Sequence, residues 1–285
     1  FPVEFEGGIQ MATQFGGDQY IAGQKYPVIN MPTRFVDFMR VLIPMAGDDT
    51  TPEGEQVNIY GNHVGSWNFA ATAYLNQWKV KIYYEHYFDD HSQMFFQYGR
   101  WKDGHIGLEI TFPQNRFIDT FVYEGLGTKD QTGPMLYDSF WGEFEEQISA
   151  KDNYYNHYLY QGWQHWGMGI GNALLPGPIY NKNGQITFIS NRVLAHHIGF
   201  CGSPCQSLSY RMLLSYSRHW GTYDNPLNEI KKQFNSLFEV TYAPQQLKGW
   251  SFTVSGAMDR GSMLGNNYGG MLIIRKQGII KSGNK

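Results

Sequence analysis

Residues 248–261, KGWSFTVSGAMDRG, change character at almost every step. Trp250, Phe252, Val254, Gly256 and Met258 fall on one side, and Ser251, Thr253, Ser255, Ala257 and Asp259 on the other. A period of two belongs to an extended strand, whose successive side chains point to opposite faces. The pattern recurs. Trp67, Phe69, Ala71, Ala73 and Leu75 oppose Asn68, Ala70, Thr72 and Tyr74. Trp78, Val80, Ile82 and Tyr84 oppose Lys79, Lys81, Tyr83 and Glu85, and Ile106, Leu108, Ile110 and Phe112 oppose Gly107, Glu109 and Thr111. Tyr210, Met212, Leu214 and Tyr216 oppose Ser209, Arg211, Leu213 and Ser215. Phe238, Val240 and Tyr242 oppose Glu239 and Thr241, and Phe5, Ile9, Met11 and Phe15 oppose Glu4, Glu6, Gln10 and Gln14. Less regular strands are expected near 34–43, where Asp37 and Arg40 interrupt, and near 117–124, where Asp119 does. No amphipathic helix is expected. The chain is predicted to be all-β, a single domain over 1–285 with about eleven strands.

Water or hydrocarbon could lie against the apolar faces. Mean hydropathy is −0.44, and no run reaches the roughly 18–20 apolar residues of a membrane helix. That test is blind to membrane barrels, whose alternating strands average to mild polarity. Aromatic residues make up 16 % of the chain, as many as the charged ones. A net charge of −3 without a basic cluster gives no reason to expect a nucleic-acid partner.

The connections favour a barrel. LNQ (75–77), PQN (113–115), CGSPC (201–205) and APQQLKG (243–249) are tight. Between them lie long segments: FDDHSQMFFQYGRWKDG, about 125–185, RHWGTYDNPLNEIKKQ and MDRGSMLGNN. Short turns at one end and long loops at the other are the layout of an antiparallel transmembrane β-barrel in a Gram-negative outer membrane. Trp67, Trp78, Phe112, Phe117, Phe200 and Trp250 would flank the turns as an aromatic girdle. Outer-membrane lipid and lipopolysaccharide would surround the apolar band, and the loops would face outside. The polar faces would then line a lumen, through Lys79, Lys81, Glu85, Glu109, Arg211, Glu239 and Asp259. A large soluble sandwich or up-and-down barrel is the alternative. The odd strand number and the abrupt FPVEFEGG start give the expectation of the C-terminal part of a longer barrel. Segment 16–33 is expected to be irregular.

The densest functional signal lies in the long loop, within KDNYYNHYLYQGWQHWGMGIGNALLPGPIYNKNG (151–184). Aromatic faces stack on the C–H faces of sugars, and amides and imidazoles bond hydroxyls. Tyr154, Tyr155, Asn156, His157, Trp163, His165 and Trp166, with Trp220 at a neighbouring tip, are candidate carbohydrate-binding residues. The same aromatics could instead pack together as a plug in the barrel mouth, and the two roles are compatible.

Catalytic signals are weak, and no enzyme activity or cofactor is expected. Glu143, Glu145 and Glu146 cluster as a solvated acidic loop would, although a glycosidase also needs two carboxyls. His196 and His197 are adjacent and so lie on opposite strand faces, a poor arrangement for zinc even with His105 or His219 as distant partners. GLGTKDQTG and GNNYGG lack the strand–loop–helix setting of phosphate motifs. Cys201 and Cys205 bracket a short turn, either bonded to each other or free.

The stretches DNYYNHYLYQGWQHWGMGIGNALLPGPIYN, NRVLAHHIGF, SYRMLLSYSRHWGTY, GWSFTVSGAMDRG and LGNNYGGMLIIRK resemble the capsule assembly Wzi family as found in Bacteroidetes-type bacteria. The resemblance covers about residues 55 to 276. It implies an outer-membrane barrel of about eighteen strands acting as a surface lectin that holds capsular polysaccharide, with no catalytic residues to carry over. About seven of the family's strands, on the N-terminal side where it carries periplasmic helices, would then lie outside this sequence. Two functions follow: a non-catalytic lectin retaining capsule or exopolysaccharide, or a diffusion channel or uptake component with a polar lumen. Other outer-membrane proteins are candidate partners.

Overall fold

The computed structural model describes residues 1–278 except Arg100 and Arg116. Ten strands form one antiparallel sheet: β1 (Val3–Gln14), β2 (Asn62–Leu75), β3 (Trp78–Phe88), β4 (Gly104–Thr111), β5 (Thr120–Gly127), β6 (Val193–Cys205), β7 (Leu208–Gly221), β8 (Pro226–Tyr242), β9 (Trp250–Gly261) and β10 (Asn267–Lys276). Each strand pairs with its sequence neighbour, and β1 and β10 are the two edges. Among the described residues the sheet is therefore open.

The register carries the alternation across every strand pair. Phe5 faces Ala71, Ala71 faces Ile82, and Ile82 faces Leu108. Phe238 faces Gly256 and Val254 faces Leu272 on the same side. This side is bare: Phe5 is 82 % exposed, Val254 61 % and Leu272 64 %. The opposite side carries Lys81 opposite Glu109, Glu124 opposite His197, His197 opposite Ser215, and Arg211 opposite Glu239. It is covered by loop 128–192, and its polar residues Thr72, Ser217, Gln233 and Ser255 are buried. Apolar residues out and polar residues in is the inverse of a soluble sheet.

Ten strands, rather than eleven, follow because 35–42 is a helix, α1 (Phe35–Leu42), and the expectation of no amphipathic helix fails with it. Phe35, Phe38, Met39 and Leu42 recur at i, i+3, i+4 and i+7, the helical period. Asp37 and Arg40, which interrupt a strand pattern, lie on the other side. Asp37 is buried and accepts from the Arg34 backbone N–H and from the Arg34 and Arg40 guanidinium groups. Segment 16–33 holds a small ribbon, Gly17–Gln19 with Ile29–Met31.

At one end of the sheet every connection is brief: 76–77, 112–119, 206–207 and 243–249. At the other end 15–61, 89–103 and 128–192 are long, but 222–225 and 262–266 are short. RHWGTYDNPLNEIKKQ is thus mostly strand, because β7 and β8 extend beyond the others. Cys201 and Cys205 are on β6 rather than in a turn, and both are free. Trp78, Phe112, Phe117 and Trp250 do flank the brief turns, with Trp78 and Phe112 centroids 5.0 Å apart. Trp67 and Phe200 lie within β2 and β6 yet beside connections, Trp67 donating to the Met94 carbonyl of 89–103 and Phe200 opposite Phe121 just after 112–119.

Candidate functional site

Loop 128–192 is tied down at both roots. Asp103, just before β4, accepts the backbone N–H groups of Asp130 and Gln131 at 2.9 and 2.5 Å. Burial pushes the Asp103 carboxyl up to about 6, against the pull of those two donors. The Thr128 hydroxyl donates to the Asn191 carbonyl, and the Val193 N–H donates back to it. At the exit Arg192 stacks 3.8 Å over the Tyr223 ring. Inside the loop, the Asn156 amide clasps Phe188 by both of its backbone groups, at 2.9 and 2.8 Å. Gln131, Thr132, Lys151, Tyr155 and Trp166 all adopt left-handed backbone. Non-glycine residues there need surroundings that hold them, and such positions concentrate at functional sites.

The candidate carbohydrate residues separate into three groups. Tyr154, Tyr155 and Trp163 are interior. Tyr155 meets Phe188 edge-on at 5.2 Å and accepts the Asn172 N–H, while Trp163 packs on the cluster of Tyr155, Leu175, Phe188, Val193 and Ala195. Tyr154 is buried near Asp103. Tyr155 and Trp163 thus pack where the loop meets the sheet, with Val193 and Ala195 of β6 in the same cluster. His165 and Trp166 form the tip of a ribbon, Gln164–His165 with Met168–Gly169, and Trp166 is 85 % exposed. Trp220 is elsewhere, with Lys129 4.7 Å from its ring.

Asn156 and His157 belong to the third group, on the wall of a cavity of about 780 Å³. The start of the 89–103 connection and residues 54–63, 149–158 and 222–227 close around it. Its walls mix polar and apolar groups. His157 lies 3.7 Å from the Glu55 carboxylate and stacks on Tyr158 with centroids 4.9 Å apart. Burial, helped by the neighbouring His63, pushes His157 down to about 4, so it is neutral at pH 7. Glu55 accepts from the Gly61 N–H at 2.7 Å and the Tyr158 hydroxyl at 3.0 Å, yet burial still raises it to about 7. Asp89, Asp90 and Asp152 meet here, each with its carboxyl raised by burial; like-charge repulsion adds to the rise for Asp89 and Asp152. Asp90 caps a short helical turn, α2 (His91–Met94), by accepting the Gln93 N–H. Sequence reasoning missed these carboxylates. The doublet Asp89–Asp90 at a strand end was the visible signal, but Asp152 is brought to it only by the fold.

A second cavity, of about 740 Å³, lies between the sheet and residues 171–175. Its floor holds Glu85, His105, Glu124, His197 and Ser215. His105 stands 3.8 Å from Glu85 and 3.5 Å from Glu124, and the Tyr83 hydroxyl donates to Glu124. Lys79, Lys81, Glu85, Glu109, Arg211, Glu239 and Asp259 all project from this loop-covered face. Several form cross-strand pairs: Lys79–Glu109 at 3.9 Å, Arg211–Glu239 at 3.4 Å, and Asn235 donating to Asp259 at 2.7 Å. Lys81 reaches Glu6 at 3.2 Å.

Glu143, Glu145 and Glu146 are exposed. His196 is on the bare face beside Tyr123, and His197 on the covered face beside Ser215. Among the described residues no group of three or more His, Cys, Asp or Glu side chains is arranged to hold a metal ion. No family model, curated protein or solved structure matches the chain.

Proposed function

We propose that this chain is the wall of an outer-membrane β-barrel whose long loop binds and retains capsular polysaccharide or exopolysaccharide at the surface of a Gram-negative cell, without catalysis. One observation carries the reading. The sheet presents a bare apolar face across all ten strands and a polar face roofed by a conformationally fixed loop with a large cavity whose wall carries five carboxyl groups. Lipid suits the first face, because an exposed apolar area of this extent is not left to water. A hydroxyl-rich ligand suits the second, whose cavity wall offers amide, carboxyl and hydroxyl groups beside Tyr158, while Trp166 stands exposed at the tip of its own ribbon in the same loop. The resemblance of 152–181 and later stretches to capsule-assembly proteins points the same way.

The test is binding of the purified protein in detergent to a panel of capsular polysaccharides. Wild type is expected to bind at least one saturably, and Trp166→Ala to weaken that binding with the fold intact. Trp163 is unsuited to this test, since it packs where the loop meets the sheet. Absence of binding across the panel removes the lectin reading. The channel reading draws on the ladder of ion pairs on the covered face. It is tested by conductance in planar bilayers, where steady open-pore current in wild type would favour it.

A further inference from the structure

We infer that the 780 Å³ cavity selects a glycan segment carrying a protonated amine and rejects uronate- or sulfate-bearing chains; this rests on the lectin reading. Its wall bears five carboxyl groups, Glu55, Asp89, Asp90, Asp152 and Asp224, against one lysine. That lysine, Lys151, is already paired with Asp224 at 2.5 Å. The two imidazoles add no positive charge. His157 accepts the Leu159 N–H on Nδ1. His63 is satisfied as a neutral ring, with Nε2 donating to the Tyr60 carbonyl and Nδ1 accepting from Thr13.

Several donors on the wall are committed as well. The Asn58 amide donates to Asp138, Asn62 to Gln14, and Asn156 to Phe188. The Tyr158 hydroxyl donates to Glu55. Two wall carboxyls keep an unpartnered oxygen. Asp152, more than nine-tenths buried on the wall, has an Oδ2 with no hydrogen-bond partner, and so does Oδ1 of Asp89. A carboxylate or sulfate ligand is an acceptor only and would add negative charge beside carboxyls whose ionisation burial already opposes, whereas an approaching cation draws them into their ionised form. An ammonium group brings three donors and the opposite charge, and sugar hydroxyls supply further donors. The volume lies in the range of sites that enclose a small ligand, which suits a short oligosaccharide segment.

Three tetrasaccharides of similar size separate the outcomes: tetraglucosamine, its fully N-acetylated counterpart, and tetragalacturonate. Each is titrated calorimetrically into the intact protein in detergent at pH 7. We expect tetraglucosamine to bind at least about tenfold more tightly than the acetylated form, and tetragalacturonate not to bind. Asp152→Asn keeps the side-chain shape and should remove most of that preference. Glu143→Gln, a change in exposed charge outside the lining, should leave it unaltered. Equal or tighter binding of tetragalacturonate overturns the inference, as does a preference that survives Asp152→Asn in a folded protein. An equal loss in Glu143→Gln also overturns it, because the effect would then be general surface charge. Binding of the acetylated sugar without an amine preference defeats the charge selection and leaves the lectin reading standing. If neither these sugars nor any capsular polysaccharide binds, the lectin reading itself has failed.

Discussion

Asn156 shows how little sequence at a single position can fix a long segment. Its amide bridges 32 residues to both backbone groups of Phe188, and Asn191 extends the clasp by donating to Asn153 and to the Tyr154 carbonyl. Asn156→Ala removes both bonds and leaves buried backbone groups without partners, a loss of about 1–3 kcal/mol. Hydrogen exchange should therefore accelerate across 153–190 while β6 to β8 stay protected; uniform protection across the loop would show that the clasp is dispensable. Ionisation acts on the same scale. Glu55 sits at about 7 against an ordinary value near 4.5, so its contribution is full below 4.5 and lost as pH rises through 7. The raised Asp89, Asp90 and Asp152 carboxyls act in the same direction. His157, lowered to about 4, acts oppositely, its contribution being present above 6.5 and lost as pH falls toward 4. Between pH 6.5 and 8 Glu55 crosses its own midpoint, so its share of the loop's thermal stability should fall across that window. Glu55→Gln should reduce that fall by about 1 kcal/mol. Near-ultraviolet circular dichroism melts at the two pH values check this, and an unchanged slope in Glu55→Gln would remove Glu55 from the account.

Strands are where sequence and structure agree most closely, for a geometric reason. Side-chain direction in a strand has a period of two regardless of what lies beside it, so the faces of β2, β3, β7, β8 and β9 were legible before any pairing was known. Position 254 turns this into a measurement. Val254 is on the bare face between Val240 and Leu272, whereas Thr253, one step away, bonds the Thr241 hydroxyl at 2.8 Å on the covered face. If the bare face meets lipid, Val254→Lys should cost about 2–4 kcal/mol near mid-membrane. Thr253→Lys should cost less, about the value of one lost hydrogen bond. Equilibrium folding into vesicles measures both, and equal costs would mean that water wets the bare face. Segment 35–42 was misread because a short helix of Phe, Val, Met and Leu shares its composition with a strand. What decides it is the far side, where Arg34 and Arg40 hold the buried Asp37 and also reach Asp48 at 2.9 and 2.8 Å. The loop was legible as aromatic and amide-rich, but not which ring faces inward: Tyr155 and Trp166 differ through tertiary contacts that no local spacing encodes.

Across the whole molecule, the decisive property is an open sheet with two unlike faces. Strands β2 to β9 are paired on both sides, whereas β1 and β10 each present one row of backbone N–H and C=O groups to no partner among the described residues. Unpaired edges of this length invite further strands, since each added pairing satisfies a row of peptide groups at once. Edge β10 is the more open of the two: every residue from Asn267 to Lys276 is exposed, including Met271, Leu272, Ile273 and Ile274. In the protein as a monomer in detergent, the amides of β10 not bonded to β9 should exchange within the shortest labelling times. Those of β7, held between β6 and β8, should persist far longer. Raising protein concentration provides the second arm. If edges pair between copies, protection of β1 and β10 should rise with concentration while β7 is unaffected, and chemical crosslinks should join edge to edge. Slow exchange in β10 at every concentration would overturn the open-edge architecture, because those amides would then already have a strand beside them.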